Sequence, residues 1–152
     1  MLSLQNYNEN MLENIVGPKE IEFLIDLGLA LICGLIIGYE RELRKKPAGI
    51  STQTLVITGS MMFAFLSRML DEGDPTRIAS QIESGIGFLG AGIILKKESK
   101  NIVTNVTTAA SIWYSAAIGM ALGFNFHFIA LAAAAYAVLI SRIPHVNKKD
   151  DD

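Results

Sequence analysis

The sequence predicts an all-α membrane protein, a bundle of about five transmembrane helices with its N-terminus outside the cell and its C-terminus in the cytoplasm. Three observations carry this prediction: long uncharged stretches, prolines that lie only between those stretches, and an uneven distribution of basic residues. The apolar fraction of 51% over 152 residues is ordinary for a globular protein, so the placement of apolar residues decides the class. The net charge of -2 gives no basic surface for nucleic acid.

The longest uncharged stretch runs from Asn101 to Ser141, 41 residues without an acid, a lysine or an arginine. About 20 apolar residues, at 1.5 Å rise per residue, cross a hydrocarbon core of roughly 30 Å. This stretch therefore predicts two helices, with the chain turning back at Gly123, Phe124 and Asn125.

Three further spans precede it. The segment 47–67 has no charge, and the segment 78–95 contains only Glu83. The segment 21–39 is the weakest candidate because two acids crowd its start. All four prolines lie between or outside the spans, where a missing backbone donor costs least: Pro18, Pro47, Pro75 and Pro144.

The basic residues predict the orientation. Ten of the 13 lie in the connection after the first span, the connection after the third span, or the C-terminal tail. The positive-inside rule then places these segments in the cytoplasm. We expect an extracytoplasmic segment at 1–20, a transmembrane domain at 21–143 and a cytoplasmic polar tail at 144–152. Because the start of the chain lacks a basic n-region, we expect the first span to be retained.

Small residues recur at helical spacing in several spans. A GxGxxG pattern in the third span follows no predicted strand, so it indicates helix packing and not a nucleotide site. Stripes with a four-residue period in the first and fourth spans predict close helix contacts in the same way. The predicted packing residues are Gly34, Gly38, Gly85, Gly87, Gly90, Gly92, Ser115 and Gly119.

Two carboxylates inside the membrane are the sharpest functional signal, since a buried charge there needs a partner or a water-filled cavity. Asp26 and Glu83 each lie about five residues into an inward-running span, so they are expected at similar depth. With Asp74 they form an acidic vestibule, or Arg77 and Arg68 neutralise them as structural ion pairs. In the first case Asp26 and Glu83 are weak candidate ligands for Mg²⁺, which the sequence suggests as a ligand or substrate.

Catalytic residues are not indicated. Cys33 lies inside the first span, and His127 and His145 show no spacing typical of a metal or nucleophile site. We expect Cys33 to pack in the core and His127 to be solvated near an outer turn. The sequence therefore predicts a protein that is not an enzyme and has no resident cofactor.

Four runs resemble the MgtC/SapB family of bacterial membrane proteins: GLIIGYEREL, KPAGISTQTLVITGS, DPTRIASQIESGIGFLGAGIIL and VTTAASIWYSAAIGMALG. The resemblance covers about residues 27–143. It implies a five-helix protein of the bacterial inner membrane, associated with magnesium homeostasis, growth at low Mg²⁺ and virulence. The resemblance also implies that the protein is a regulator more than a pump. It implies further that the ATP synthase is among the complexes on which family members act.

The resemblance carries over to individual positions. The ERE run ends the first helix, and a KPAG loop follows it. The matching polar residues are Glu40, Arg41, Glu42, Asp74, Arg77, Gln81, Ser84, Thr107 and Thr108, with Trp113 in the fourth helix. Ser51, Gln53 and Glu83 depart from the family pattern, and we expect the soluble C-terminal domain of longer members to be absent.

Two hypotheses about function remain. The chain is a non-enzymatic regulator that binds another membrane complex, such as an ATP synthase or a transport ATPase, or a second copy of itself. Alternatively, it is a transporter or channel for Mg²⁺ or another cation. The polarity of the bundle interior distinguishes the two hypotheses, because a conduction path needs polar groups that continue past the middle of the membrane.

Overall fold

The computed structural model describes residues 17–70, 74, 77, 79–97 and 102–143. These residues form five helices, and the prediction of five helices is confirmed. Their bounds are α1 Pro18–Leu43, α2 Ile50–Leu70, α3 Ser80–Ile93, α4 Val106–Gly123 and α5 His127–Ser141. Most of the predicted outer segment and all of the tail lie outside the described residues.

A short β-hairpin between α3 and α4 was not predicted. Strands β1 (Leu95–Lys97) and β2 (Ile102–Thr104) pair antiparallel, with Leu95 opposite Thr104. Two three-residue strands are too short for an alternating pattern to be recognised in the sequence.

Three of the described helices, α1, α2 and α4, are long and apolar enough to cross a membrane. Helix α3 has 14 residues and α5 has 15, which at 1.5 Å per residue cover only about 21 to 23 Å. The chain therefore has membrane-length helices, while five full crossings and the orientation of the termini stay predictions.

Helix ends follow the local sequence. Pro18 opens α1, where its missing N–H is not needed. The predicted turn between α4 and α5 lies where it was expected, and Asn125 there has a φ of 64°. Asparagine tolerates this left-handed conformation better than most residues, which lets α5 begin two residues later.

The core lies among four of the helices, where α2 packs against α1 and α4, and α5 packs against α1 and α4. Its buried residues come from every one of these helices: Ala30, Cys33, Ile37, Ile57, Met61, Phe65, Ile118, Leu122, Ala130 and Ala134. Cys33 is fully buried there as a packing residue. Helix α3 packs on α4 through a separate small cluster that includes Ile82, Ile86 and Ile112.

Glycines allow close backbone approach at α1 and α4. A Cβ built on Gly34 would lie 2.6 Å from Thr54 Cα, and one built on Gly38 would lie 2.7 Å from the backbone nitrogen of Ile50. A Cβ on Gly119 would overlap the Ile57 carbonyl oxygen. These contacts bring α2 against both neighbours.

The glycines of α3 do not have such contacts, which corrects the prediction made for them. Among the residues that the structure describes, a Cβ on Gly85, Gly87 or Gly92 would meet nothing within 4 Å, and one on Gly90 would make an ordinary 3.7 Å contact with Ala109. The reason is that α3 buries its isoleucine face against α4, which leaves most of its glycines on exposed sides.

Candidate functional site

Polar side chains gather at two opposite ends of the bundle. The first group, called here the His127 cluster, consists of Glu22, Asp26, Arg68, Asn125 and His127. Asp26 is fully buried, and His127 Nε2 lies 2.6 Å from its Oδ1. Since His127 is the first residue of α5, this contact ties the start of α5 to α1.

Arg68 organises the rest of the His127 cluster. Its Nη2 lies 2.7 Å from Glu22 Oε1, and its Nε donates to the Gly123 carbonyl at 3.1 Å. Asn125 Nδ2 donates to the same Glu22 oxygen at 2.5 Å. The guanidinium thereby joins the end of α2 to the start of α1 and to the turn before α5.

Asp26 keeps one unsatisfied oxygen. Its Oδ2 is buried without a hydrogen-bond partner among the described residues, although the His127 side chain beside it is 38% exposed. A carboxylate held this way can accept a proton or a further donor.

The predicted acidic vestibule is not assembled. Asp26 is buried against His127, whereas Glu83, Asp74 and Arg77 are exposed. The arginine in the His127 cluster is Arg68, and it pairs with Glu22. Helix α3 packs on α4 and not on α1, and for that reason equal depth in the membrane does not bring these groups together. No group of three potential metal ligands occurs in the part of the chain that the structure describes.

The second group is called here the Arg41 cluster, and it includes Arg41, Thr108 and Gln53. Arg41 Nη2 donates to Thr108 Oγ1 at 2.6 Å and to the Pro47 carbonyl at 3.0 Å. Arg41 and Thr108 are 4% and 1% exposed. This arginine therefore connects the end of α1, the following loop and the start of α4.

Gln53 extends the Arg41 cluster into the bundle. Its Nε2 donates to the Ala48 carbonyl at 3.2 Å and to Ser111 Oγ at 3.1 Å, and its Oε1 accepts from Ser115 Oγ at 2.6 Å. The sequence indicated only packing for Ser115. The sequence signal for this network was a glutamine in the second span together with two serines one turn apart in the fourth span.

A cavity of about 500 Å³ adjoins the Arg41 cluster between α1, α4 and α5. Glu40 and Arg41 lie on its wall, and Thr107 lines it as well. Glu40 is buried, and Arg44 Nε lies 3.6 Å from its Oε1. Gln81 lies elsewhere, exposed at an apolar groove of about 510 Å³ between α2 and α3.

Apolar side chains separate the two clusters. From Asp26 to Glu40 the rise along α1 is about 21 Å, and the buried residues of α1 between them are small or apolar. Neighbouring helices add Ile57, Met61 and Ile118, which are almost completely buried. A mainly apolar layer, in which the hydroxyls of Ser60 and Thr54 are also buried, thus separates the polar ends of the bundle.

The sequence also matches a known family: residues 27–148 match the MgtC family. The chain belongs to the MgtC family. It is similar to protein SapB of Bacillus subtilis, with 36% identity in an alignment 140 positions long that covers 84% of this chain and 59% of the relative. It is similar to an Escherichia coli protein named putative magnesium transporter YhiD, with 41% identity over 82% of this chain and 61% of the relative.

Protein MgtC of Salmonella typhimurium is 44% identical over 111 residues, which are 73% of this chain and 47% of the relative. The chain spans about half to three fifths of the length of these relatives. No solved structure matches the chain.

Among the positions matched by the MgtC/SapB pattern, the structure brings together those at the end of α1 and the start of α4. Arg41 bonds Thr108, and Glu42 Oε1 accepts from the Ile50 backbone N–H at 3.0 Å. The matched glycines of α3 lie mostly on exposed sides of that helix.

Proposed function

We propose that this member of the MgtC family is a multi-pass protein of the bacterial inner membrane and contributes to magnesium homeostasis as a non-enzymatic regulator of another membrane complex. The observation that carries the proposal is the mainly apolar layer between the His127 cluster and the Arg41 cluster. It favours a protein that acts through contacts over one that conducts an ion.

A conduction path would have to pass the middle of α1, α2 and α4. There, Cys33, Ile57 and Met61 are fully buried in the apolar core, and Ser60 is buried beside them. The nearby Ser115 hydroxyl is already engaged with Gln53. A hydrated cation needs polar groups to replace its water, and the hydroxyls of Ser60 and Thr54 are few for this task.

Helix α3 supplies a surface suited to a partner helix. Gly85, Gly87 and Gly92 face open space, and Phe88 is 83% exposed beside them. In a membrane, small residues allow close approach between helices, and packing drives association. We propose that a helix of the regulated complex docks on this face, the ATP synthase or a transport ATPase being the class that the family resemblance suggests.

Cation transport is the second candidate function. The name of the Escherichia coli relative, putative magnesium transporter, favours it, as does the buried carboxylate of Asp26 with its unsatisfied oxygen. Transport would require another conformation in which the apolar layer opens.

Complementation tests the proposal. In a bacterial strain that lacks its own family member, the gene is expected to restore growth at low Mg²⁺ without raising the initial rate of Mg²⁺ uptake. Gly87→Leu should abolish this rescue while the protein still accumulates in the membrane, because the leucine blocks the docking face.

Gly28→Leu is the matched control, since Gly28 is also helical with nothing within 4 Å of a built Cβ, but lies on α1. Rescue by Gly87→Leu at the wild-type level would contradict docking on α3. If the rescue of growth at low Mg²⁺ correlated with the initial rate of Mg²⁺ uptake, this would contradict regulation and favour transport.

A further inference from the structure

The cavity beside Arg41 opens where α5 leaves the bundle. Along α5 the buried residues are Ala130 and Ala134, which lie in its first half. Farther along, Ala137 and Ile140 line the cavity together with Ile37 of α1. One wall of the cavity is therefore apolar.

The opposite wall is basic. Arg41, Arg44 and Lys46 line the cavity, and among the described residues Glu40 is the one acid that lines it. Arg41 is 4% exposed, and its Nε is buried without a hydrogen-bond partner among the described residues. A buried guanidinium N–H without an acceptor is unfavourable, so a ligand that brings an acceptor oxygen gains affinity there.

The rim adds two exposed cations. The Arg44 side chain is 41% exposed and only loosely paired with Glu40, and Lys46 is exposed. Guanidinium groups bind phosphate oxygens well because their N–H groups match its geometry. Basic pockets between helices at a membrane face are typical sites for anionic headgroups.

We propose that this cavity binds an anionic phospholipid, with the phosphate accepting hydrogen bonds from Arg41 and Arg44 and an acyl chain lying against Ile37, Ala137 and Ile140. A volume of about 500 Å³ accommodates a headgroup and the start of a chain, since ligand pockets measure roughly 300 to 1,000 Å³. This assignment depends neither on which side faces the cytoplasm nor on the regulatory role.

Thermal unfolding of the purified full chain in neutral detergent tests the proposal. Added phosphatidylglycerol should raise Tm with saturation, because a ligand of the native state stabilises it, whereas phosphatidylcholine should not. Inorganic phosphate at equal concentration should have little effect, since it cannot use the apolar wall.

Two variants with matched controls locate the site. Ala137→Phe fills the cavity and should abolish the shift, whereas Ala132→Phe on the exposed side of α5 should retain it. Arg44→Gln removes a charge-assisted contact and should weaken apparent affinity by about tenfold, whereas Arg142→Gln, a nearby exposed arginine outside the cavity, should not.

An equal response to both phospholipids would overturn the proposal, as would an unchanged response in both Ala137→Phe and Arg44→Gln. Stabilisation by inorganic phosphate as strong as that by phosphatidylglycerol would overturn the assignment to a lipid.

Discussion

Gly119→Ala is expected to destabilise the bundle, although alanine is the better helix former. The added Cβ would overlap the Ile57 carbonyl oxygen and would lie 2.8 Å from Ser60 Cβ. Carbon atoms pack best at about 3.5 to 4.0 Å, so α2 and α4 would have to separate by roughly 1 Å. Gly87→Ala is the matched control, because its Cβ would meet nothing within 4 Å.

The expected change in the free energy of unfolding follows from two opposing effects. Overpacking of this kind costs about 1 to 3 kcal/mol, while replacing a helical glycine by alanine gains up to about 1 kcal/mol at both positions. The free energy of unfolding of Gly119→Ala should therefore fall below that of Gly87→Ala by about 1 to 3 kcal/mol.

The assay is reversible unfolding in mixed micelles by increasing mole fraction of sodium dodecyl sulfate, followed by circular dichroism. Gly119→Leu should fail to fold, while Gly87→Leu should give a folded protein. Equal unfolding free energies for the two alanine variants would show that α2 and α4 do not approach closely at Gly119.

Three further predictions concern the polar clusters and the topology. His127→Ala and Asp26→Asn should each destabilise the fold, and a double-mutant cycle should give a coupling of about 0.5 to 3 kcal/mol; additive effects would refute the pairing. Arg68→Ala should lower the free energy of unfolding by about 1 to 3 kcal/mol through its lost charged hydrogen bonds, and Arg77→Ala should change it much less; the reverse order in chemical unfolding would contradict the His127 cluster. Reporter fusions at Lys46 should be cytoplasmic and those in the turn between α4 and α5 extracytoplasmic; both on one side would refute the proposed orientation.

Features that depend on one stretch of sequence could be predicted from it. The length of the uncharged run before Ser141 predicted two helices and their turn, because the span of a helix follows from its residue count. The four-residue spacing of Gly34 and Gly38 predicted a face of α1 that approaches another helix closely, and α2 lies there.

Features that depend on which helices are neighbours could not be predicted. Asp26 and Glu83 were assigned the same depth, but depth does not specify the position of a helix around the bundle, and α3 packs on α4. The contact of His127 with Asp26 joins residues far apart in the sequence, and it follows only from the placement of α5 beside α1. Arg41 and Thr108 were both matched by the family pattern. Predicting their hydrogen bond would still have required knowing that the end of α1 lies beside the start of α4.

Ion flux through the purified protein tests the central claim most directly. The full chain would be reconstituted into liposomes that enclose a Mg²⁺-sensitive dye, with an inward Mg²⁺ gradient and a membrane potential applied. Because the layer around Met61 and Ile57 is mainly apolar, we predict a rate of dye response equal to that of protein-free liposomes. A protein-dependent Mg²⁺ influx that Asp26→Asn abolishes would contradict the account and establish transport.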